Sequence, residues 1–195
     1  MPLRQRTVLM SDKEILETFH AGQRERAFVM LMEAYQQRIY YHIRRMVKRH
    51  EDADDIMQNT FLKIWNGLPN FRAESQLFTW IYRIATNETI SFLQHQGRHT
   101  AISFEQNELQ DDTDYSPSRY VPGDSYEIDE EALLQKLQRA IDTLPDKQKL
   151  VFHMRYYDGL SYEQMSEILG TSEGALKANY HHAVRKIEKF LLEND

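Results

Sequence analysis

The chain has 195 residues, 41% of them hydrophobic and 28% charged, a composition of one large or two small globular domains and too apolar for disorder throughout. It contains no cysteine, which excludes disulfides, thiolate zinc sites and thiol catalysis and fits a reducing cytoplasm. The formal net charge of −6 argues against a chain that binds nucleic acid along its whole length.

That charge is unevenly spread. Residues 1–95 hold 13 Lys and Arg against 11 Asp and Glu, residues 96–131 hold 2 against 10, and residues 132–195 hold 9 of each. The acidity is therefore confined to a central segment, and a near-neutral flank can still grip phosphate through a clustered face, with strong salt dependence. No apolar run is long enough to span a bilayer, and the amino-terminal MPLRQRTVLMSDKEI lacks the apolar core and cleavage site of a leader, so no membrane insertion is expected.

In chain order, Ser11-Asp12-Lys13-Glu14 is a capping box that predicts a first helix to about His20, ending at Gly22. A second helix is expected from about Arg24 to Arg49, through Phe28, Leu31, Tyr35, Ile39, Ile43 and Met46 at spacings of three and four. A third runs from about Asp52 to Leu68, where Pro69 stops it, with Met57, Phe61, Ile64, Trp65 and Leu68 as its core stripe. Its other face carries Asp54, Asp55, Gln58, Asn59 and Lys63 beside an apolar Leu62. The early aspartates suit the helix macrodipole; with Leu62 they equally suit a partner surface.

A fourth helix is expected from about Ser75 to Gln96. Phe71, Phe78, Trp80, Tyr82 and Phe92 are interleaved there with Arg72, Arg83, His95, Arg98 and His99. Phe78, Trp80, Ile81, Tyr82 and Ile84 point around most of the helix, so one stripe cannot bury them all. Aromatics beside cations suit stacking on unpaired bases along a phosphate backbone; for any single ring, burial in the core is the simpler reading.

Residues 97–131 read as a flexible acidic linker, with Asp111, Asp112, Asp114, Pro117 and the Pro122-Gly123 pair breaking any periodicity. Its Ile102, Phe104, Leu109, Tyr115, Tyr120 and Tyr126 exceed what a spacer needs; docking and a solvated tether both fit. Beyond it, helices are expected over about Glu130–Thr143 and Asp146–Tyr157, the latter built around Val151 and Phe152 and ending near Asp158-Gly159. A short helix from the Ser161 cap to Leu169 then breaks at Gly170-Thr171-Ser172 and gives way to a longer one from Glu173. Gly170 sits where a helix-turn-helix needs positive φ, and Met165, Ile168, Leu169 and Leu176 can close the small core between the helices. A plain helical hairpin shares that outline. The fold class is all-α: an amino-terminal helical bundle over 1–96 and a helix-turn-helix domain over 132–195.

Together the two halves resemble the extracytoplasmic-function (ECF) class of bacterial sigma factors of the sigma-70 family. DADDIMQNTFLKIW is similar to that family's polymerase-clamp helix, FRAESQLFTWIYRIATNETISFL to its −10 reader, and LPDKQKLVFHMRYYDGLSYEQMSEILGTSEGALKANYHHAVRKI to its −35 reader. The resemblance implies that Asp54, Asp55, Ile56, Gln58, Asn59 and Leu62 dock on the β′ clamp of core RNA polymerase, with a second contact at the β flap. It implies that Asn70, Phe71, Arg72 and Ser75 pocket a flipped −10 base, while Trp80, Arg83 and Asn87 hold the non-template strand. For the −35 element it implies Arg155, Ser161, Tyr162, Lys177, Asn179, His181, His182 and Arg185. Ala178-Asn179 stand where the family commonly has Ser-Arg, and His181-His182 with Val184 replace an arginine-richer run. Asn179 therefore suits an adenine better than the bidentate guanine contact of an arginine.

By the same resemblance the linker threads the polymerase active-site cleft, and an anti-sigma factor, often membrane-anchored in this class, holds the free protein in the cytoplasm. No cofactor is implied. The adjacent His181 and His182 point about 100° apart on a helix and make a poor chelate, so no metal is expected. A stand-alone helix-turn-helix regulator is the competing reading, although the aromatic −10-like stretch has no use in duplex readout. An enzyme is disfavoured, since the chain has no nucleophile elbow, glycine-rich phosphate loop or HExxH.

Overall fold

The computed structural model describes residues 11–96 and 130–193. The chain divides into two compact units, Met1–Ala101 and Ile102–Asp195, and all regular structure among the described residues is helical. The first unit holds α1 (Asp12–His20), α2 (Arg24–Met46), α3 (His50–Gly67), a 3₁₀ turn (Leu68–Asn70) and α4 (Leu77–His95). The second holds α5 (Glu130–Asp142), α6 (Asp146–Phe152), a π-helical turn (His153–Tyr157), α7 (Tyr162–Leu169) and α8 (Glu173–Glu193). Most of the acidic segment, with Ile102, Phe104, Leu109, Tyr115, Tyr120 and Tyr126, lies outside the described residues; its last two positions, Glu130 and Glu131, already belong to α5.

The expected capping box forms: the Ser11 hydroxyl accepts from the Glu14 amide at 3.3 Å and the Glu14 carboxylate accepts from the Ser11 amide at 2.9 Å. Helix α2 is the axis of the first unit, packing against α1, α3 and α4. Its Ala27, Leu31, Tyr35, Ile39 and Ile43 recur every fourth residue, and all five are buried. It stops at Met46 rather than Arg49, and α3 starts at His50 rather than Asp52. Asp52, now within the first turn of α3, is buried at 8% exposure.

Helix α3 packs on both α2 and α4, and that sandwich rotates its buried stripe. Ala53, Ile56, Thr60, Phe61 and Ile64 are buried, while Met57 and Trp65 are only half-buried. Arg24 clasps the end of α3, donating to the Trp65 carbonyl at 2.7 Å with its guanidinium 4.0 Å over the indole. Helix α4, packed against two neighbours, buries Leu77, Phe78, Ile81, Tyr82 and Ala85 and leaves Trp80 and Ile84 half-buried. The wide aromatic face thus divides between core and surface. His42 is buried against α4, with its Nε2 3.0 Å from the Thr86 hydroxyl.

In the second unit Ala140, Ile141, Leu144, Phe152, Ala183 and Ile187 form one cluster, which joins α5 and α6 to the middle of α8. The expected single helix to Tyr157 instead widens into the π turn, where the Asp158 amide donates to the His153 carbonyl at 3.1 Å. Glycine closes the turn that follows, Gly159 having φ +70°. Gly170 takes φ +65° and caps α7, as the helix-turn-helix reading requires. Met165, Ile168 and Leu176 are buried beneath it, with Leu169 half-buried.

Candidate functional site

Three surfaces carry the residues singled out by sequence. On α3, Asp54, Asp55, Gln58 and Asn59 are exposed, and Leu62 stands 54% exposed among them. Ile56 does not join this surface. At 2% exposure its side chain belongs to the core between α3 and its neighbours. Asp54 has a supporting chain that its own helix only half reveals: its carboxylate lies 3.5 Å from His50 Nε2, and His50 Nδ1 lies 2.6 Å from the Tyr40 hydroxyl of α2. His50 sits one turn before Asp54 and was legible by spacing; Tyr40 was not. Lys63 also pairs with Glu88 of α4, tying this surface to the next.

The second surface begins at the 3₁₀ turn that Pro69 initiates. The Phe71 amide donates back to the Leu68 carbonyl at 3.1 Å, and the chain then reaches Ala73 at φ +56°. A left-handed alanine costs about 1–2 kcal/mol, so the loop is held in shape by what flanks it. Phe71 packs on Trp80, ring centroids 5.1 Å apart. Trp80, Arg83 and Asn87 follow one another at spacings of three and four and share a face of α4. Asn70, Arg72 and Asn87 are exposed, whereas Phe71, Ser75, Trp80 and Arg83 are half-buried. Arg83 Nε is buried without a hydrogen bond among the described residues. A preformed loop, two contiguous rings and a guanidinium on one face offer stacking and phosphate contact to an unpaired strand.

The third surface is the helix-turn-helix. The Ser161 hydroxyl accepts from the Gln164 amide at 3.1 Å, and the Gln164 side chain accepts from the Ser161 amide at 2.9 Å. Ser161 is therefore committed to capping α7. Ser172 does the same for α8, accepting from the Ala175 amide at 3.2 Å. Lys177, His181 and Arg185, spaced by four, line one face of α8, and His182 stacks beside His181 with centroids 6.0 Å apart. Asn179 departs from expectation. It is 6% exposed and its Nδ2 donates to the Ala175 carbonyl at 2.8 Å, which turns it inward and away from a base. Arg155, on the π turn, donates to the Leu160 carbonyl at 2.8 Å and reaches over the Tyr162 ring. Burial, with Tyr162 second, raises the Tyr180 hydroxyl above its usual range.

The chain thus carries a helical unit with an aromatic loop-and-helix surface, followed by a helix-turn-helix unit. Residues 31–99 match the model for Sigma-70 region 2, and residues 134–187 match that for Sigma-70, region 4. The chain is 30% identical over 183 residues to the ECF RNA polymerase sigma-E factor of Haemophilus influenzae, covering 92% of this chain and 94% of that one. It is 29% identical over 189 residues to the RNA polymerase sigma-H factor of Pseudomonas aeruginosa, covering 92% and 93%. The fold is similar to that of CnrH in its complex with the cytosolic domain of CnrY, at TM-score 0.67 and 18% identity over 95% of this chain and 100% of that one. It is also similar to RpoE in complex with the anti-sigma factor NepR from Bartonella quintana, at TM-score 0.61 and 22% identity over 86% and 98%. The chain belongs to the ECF sigma factors of the sigma-70 family.

Proposed function

We propose that this sigma factor, which directs core RNA polymerase to specific promoters, divides the task among its three surfaces. Asp54, Asp55, Gln58, Asn59 and Leu62 of α3 dock on the β′ clamp, with Leu62 supplying apolar contact and the polar groups setting register. The loop from Asn70 to Ser75 receives an unstacked base of the −10 element, and Trp80, Arg83 and Asn87 hold the single strand beside it. Lys177, His181, His182 and Arg185 of α8 read the −35 element, with Arg155, which lies over the Tyr162 ring, at its backbone. The observation that carries this reading is the order of the two matched regions along one chain.

The protein catalyses no reaction of its own, and polymerase supplies the chemistry. It works in the cytoplasm, where its polymerase and promoters are; among the described residues no helix is long and apolar enough to cross a membrane. The similarity to chains solved in complex with NepR, an anti-sigma factor, and with the cytosolic domain of CnrY supports an anti-sigma partner here as well.

Run-off transcription with purified core polymerase and fragmented host DNA tests the reading. Discrete transcripts that disappear when Asp55 and Gln58 are both changed to Ala are expected. DNA binding by the chain alone, with no transcripts from the holoenzyme, would establish the stand-alone regulator instead.

A further inference from the structure

Arg155, Tyr162 and Lys177 come from three different elements of the second unit, the π turn, the first residue of α7 and the second turn of α8. The Arg155 guanidinium lies 5.1 Å from the Tyr162 ring centroid and the Lys177 ammonium lies 5.5 Å from it. The ring itself is fixed. The Ser161–Gln164 capping box sets the first turn of α7, and the ring meets Tyr180 edge-on at 6.5 Å. Tyr180 in turn stacks on Phe152 of the core, with centroids 5.9 Å apart. A rigid aromatic platform therefore touches two long cationic side chains whose heads remain at the surface.

Arg155 is further restrained by its bond to the Leu160 carbonyl, but Lys177 has a rival partner in Glu173, 3.1 Å away on its own helix. Cations left free sample many rotamers and lose that freedom on meeting a phosphate. A ring face within about 6 Å restricts them beforehand at a modest gain in energy.

We propose that Tyr162 is a positioning residue for promoter recognition: its ring face, rather than its hydroxyl, holds Arg155 and Lys177 ready for the phosphates beside the −35 element. The inference rests on the assignment of this unit to the −35 element. It differs from a simple backbone contact by Tyr162, because the contact runs through the two cations.

The test uses holoenzyme made with the full chain and a promoter fragment found by run-off transcription, with affinity measured across a series of KCl concentrations. Tyr162→Leu is expected to weaken binding roughly five- to thirty-fold, from the loss of two cation–π contacts, and to lower the salt slope by about 1–2 as phosphate contacts are lost. Tyr162→Phe, which keeps the ring, is expected to recover most of that loss. In an Arg155→Ala, Lys177→Ala background, Tyr162→Leu is expected to have little further effect. A Phe variant as weak as the Leu variant would overturn the proposal by placing the hydroxyl on the DNA. A Leu variant as tight as the parent, or one equally damaging in the double-Ala background, would also overturn it. Should the parent chain form no promoter-specific complex, the −35 assignment itself falls, an outcome the parent lane alone reveals.

Discussion

Gly67 lies so close beneath Trp80 that a Cβ on it would stand 2.9 Å from the indole Cζ2. Its φ of −86° makes no demand for glycine; the requirement is room. Gly67 ends α3, and Trp80 packs on Phe71 in the loop that is proposed to receive the flipped base. Gly67→Ala is therefore expected to push Trp80 off Phe71 at a stability cost of about 1–3 kcal/mol. Tryptophan fluorescence should report the movement, and permanganate reactivity of promoter thymines should show fewer open complexes at unchanged core-polymerase affinity.

The two apolar residues of the expected clamp-binding set face opposite ways. Ile56→Ala should cost about 2–5 kcal/mol of stability by opening a core cavity, measured by urea unfolding. Leu62→Ala, at a position 54% exposed, should leave stability within about 0.5 kcal/mol of the parent. It should nevertheless weaken core-polymerase binding in a fluorescence competition assay.

Tyr35 donates its hydroxyl to Asp12, fastening α1 to α2. Burial first, and the Asp12 hydrogen bond and charge next, raise the Tyr35 hydroxyl above its ordinary value of 10.0. The folded state therefore keeps a proton that the unfolded chain gives up above pH 10.0. The stabilisation is full below that pH and is lost as pH rises further. Tyr35→Phe should cost about 1 kcal/mol at neutral pH, and the gap between parent and variant should narrow above pH 10.0 in chemical unfolding curves.

Gly170 has open space around its missing Cβ, so Gly170→Ala meets no clash and pays only for its φ of +65°. A loss of about 1–2 kcal/mol is expected, confined to the second unit and visible as faster amide hydrogen exchange in α7 and α8.

Asn179→Ala removes a buried donor that serves the Ala175 carbonyl. It should cost about 1 kcal/mol of stability and leave base preference at the −35 element unchanged, whereas Arg185→Ala should lower the salt slope of promoter binding by about 1.

Much of the local architecture was legible in the chain. Ser11 and Ser161 announced helix starts because a capping box is a contact between residues three apart. Gly170 marked the turn of the helix-turn-helix because only a residue without Cβ takes positive φ freely. The helix ends near residues 46–50 were less legible, since no glycine or proline stands there and the break is set by packing. The π turn at His153–Tyr157 had no local sign either; it lets Met154 and Leu160 both reach the interior.

By itself the sequence determined the all-helical class and the order of elements, because propensity, capping and periodicity act between near neighbours along the chain. Only the tertiary structure decided which side of each helix is buried and which is left exposed. Helix α3 is clamped between α2 and α4, which buries Ile56 and turns Leu62 outward. The bend around Gly170 brings α8 against α7; Asn179 is buried, and Arg155 and Lys177 gather on the ring of Tyr162. Burial depends on elements distant in sequence, and one amphipathic helix with two plausible apolar faces does not carry that information.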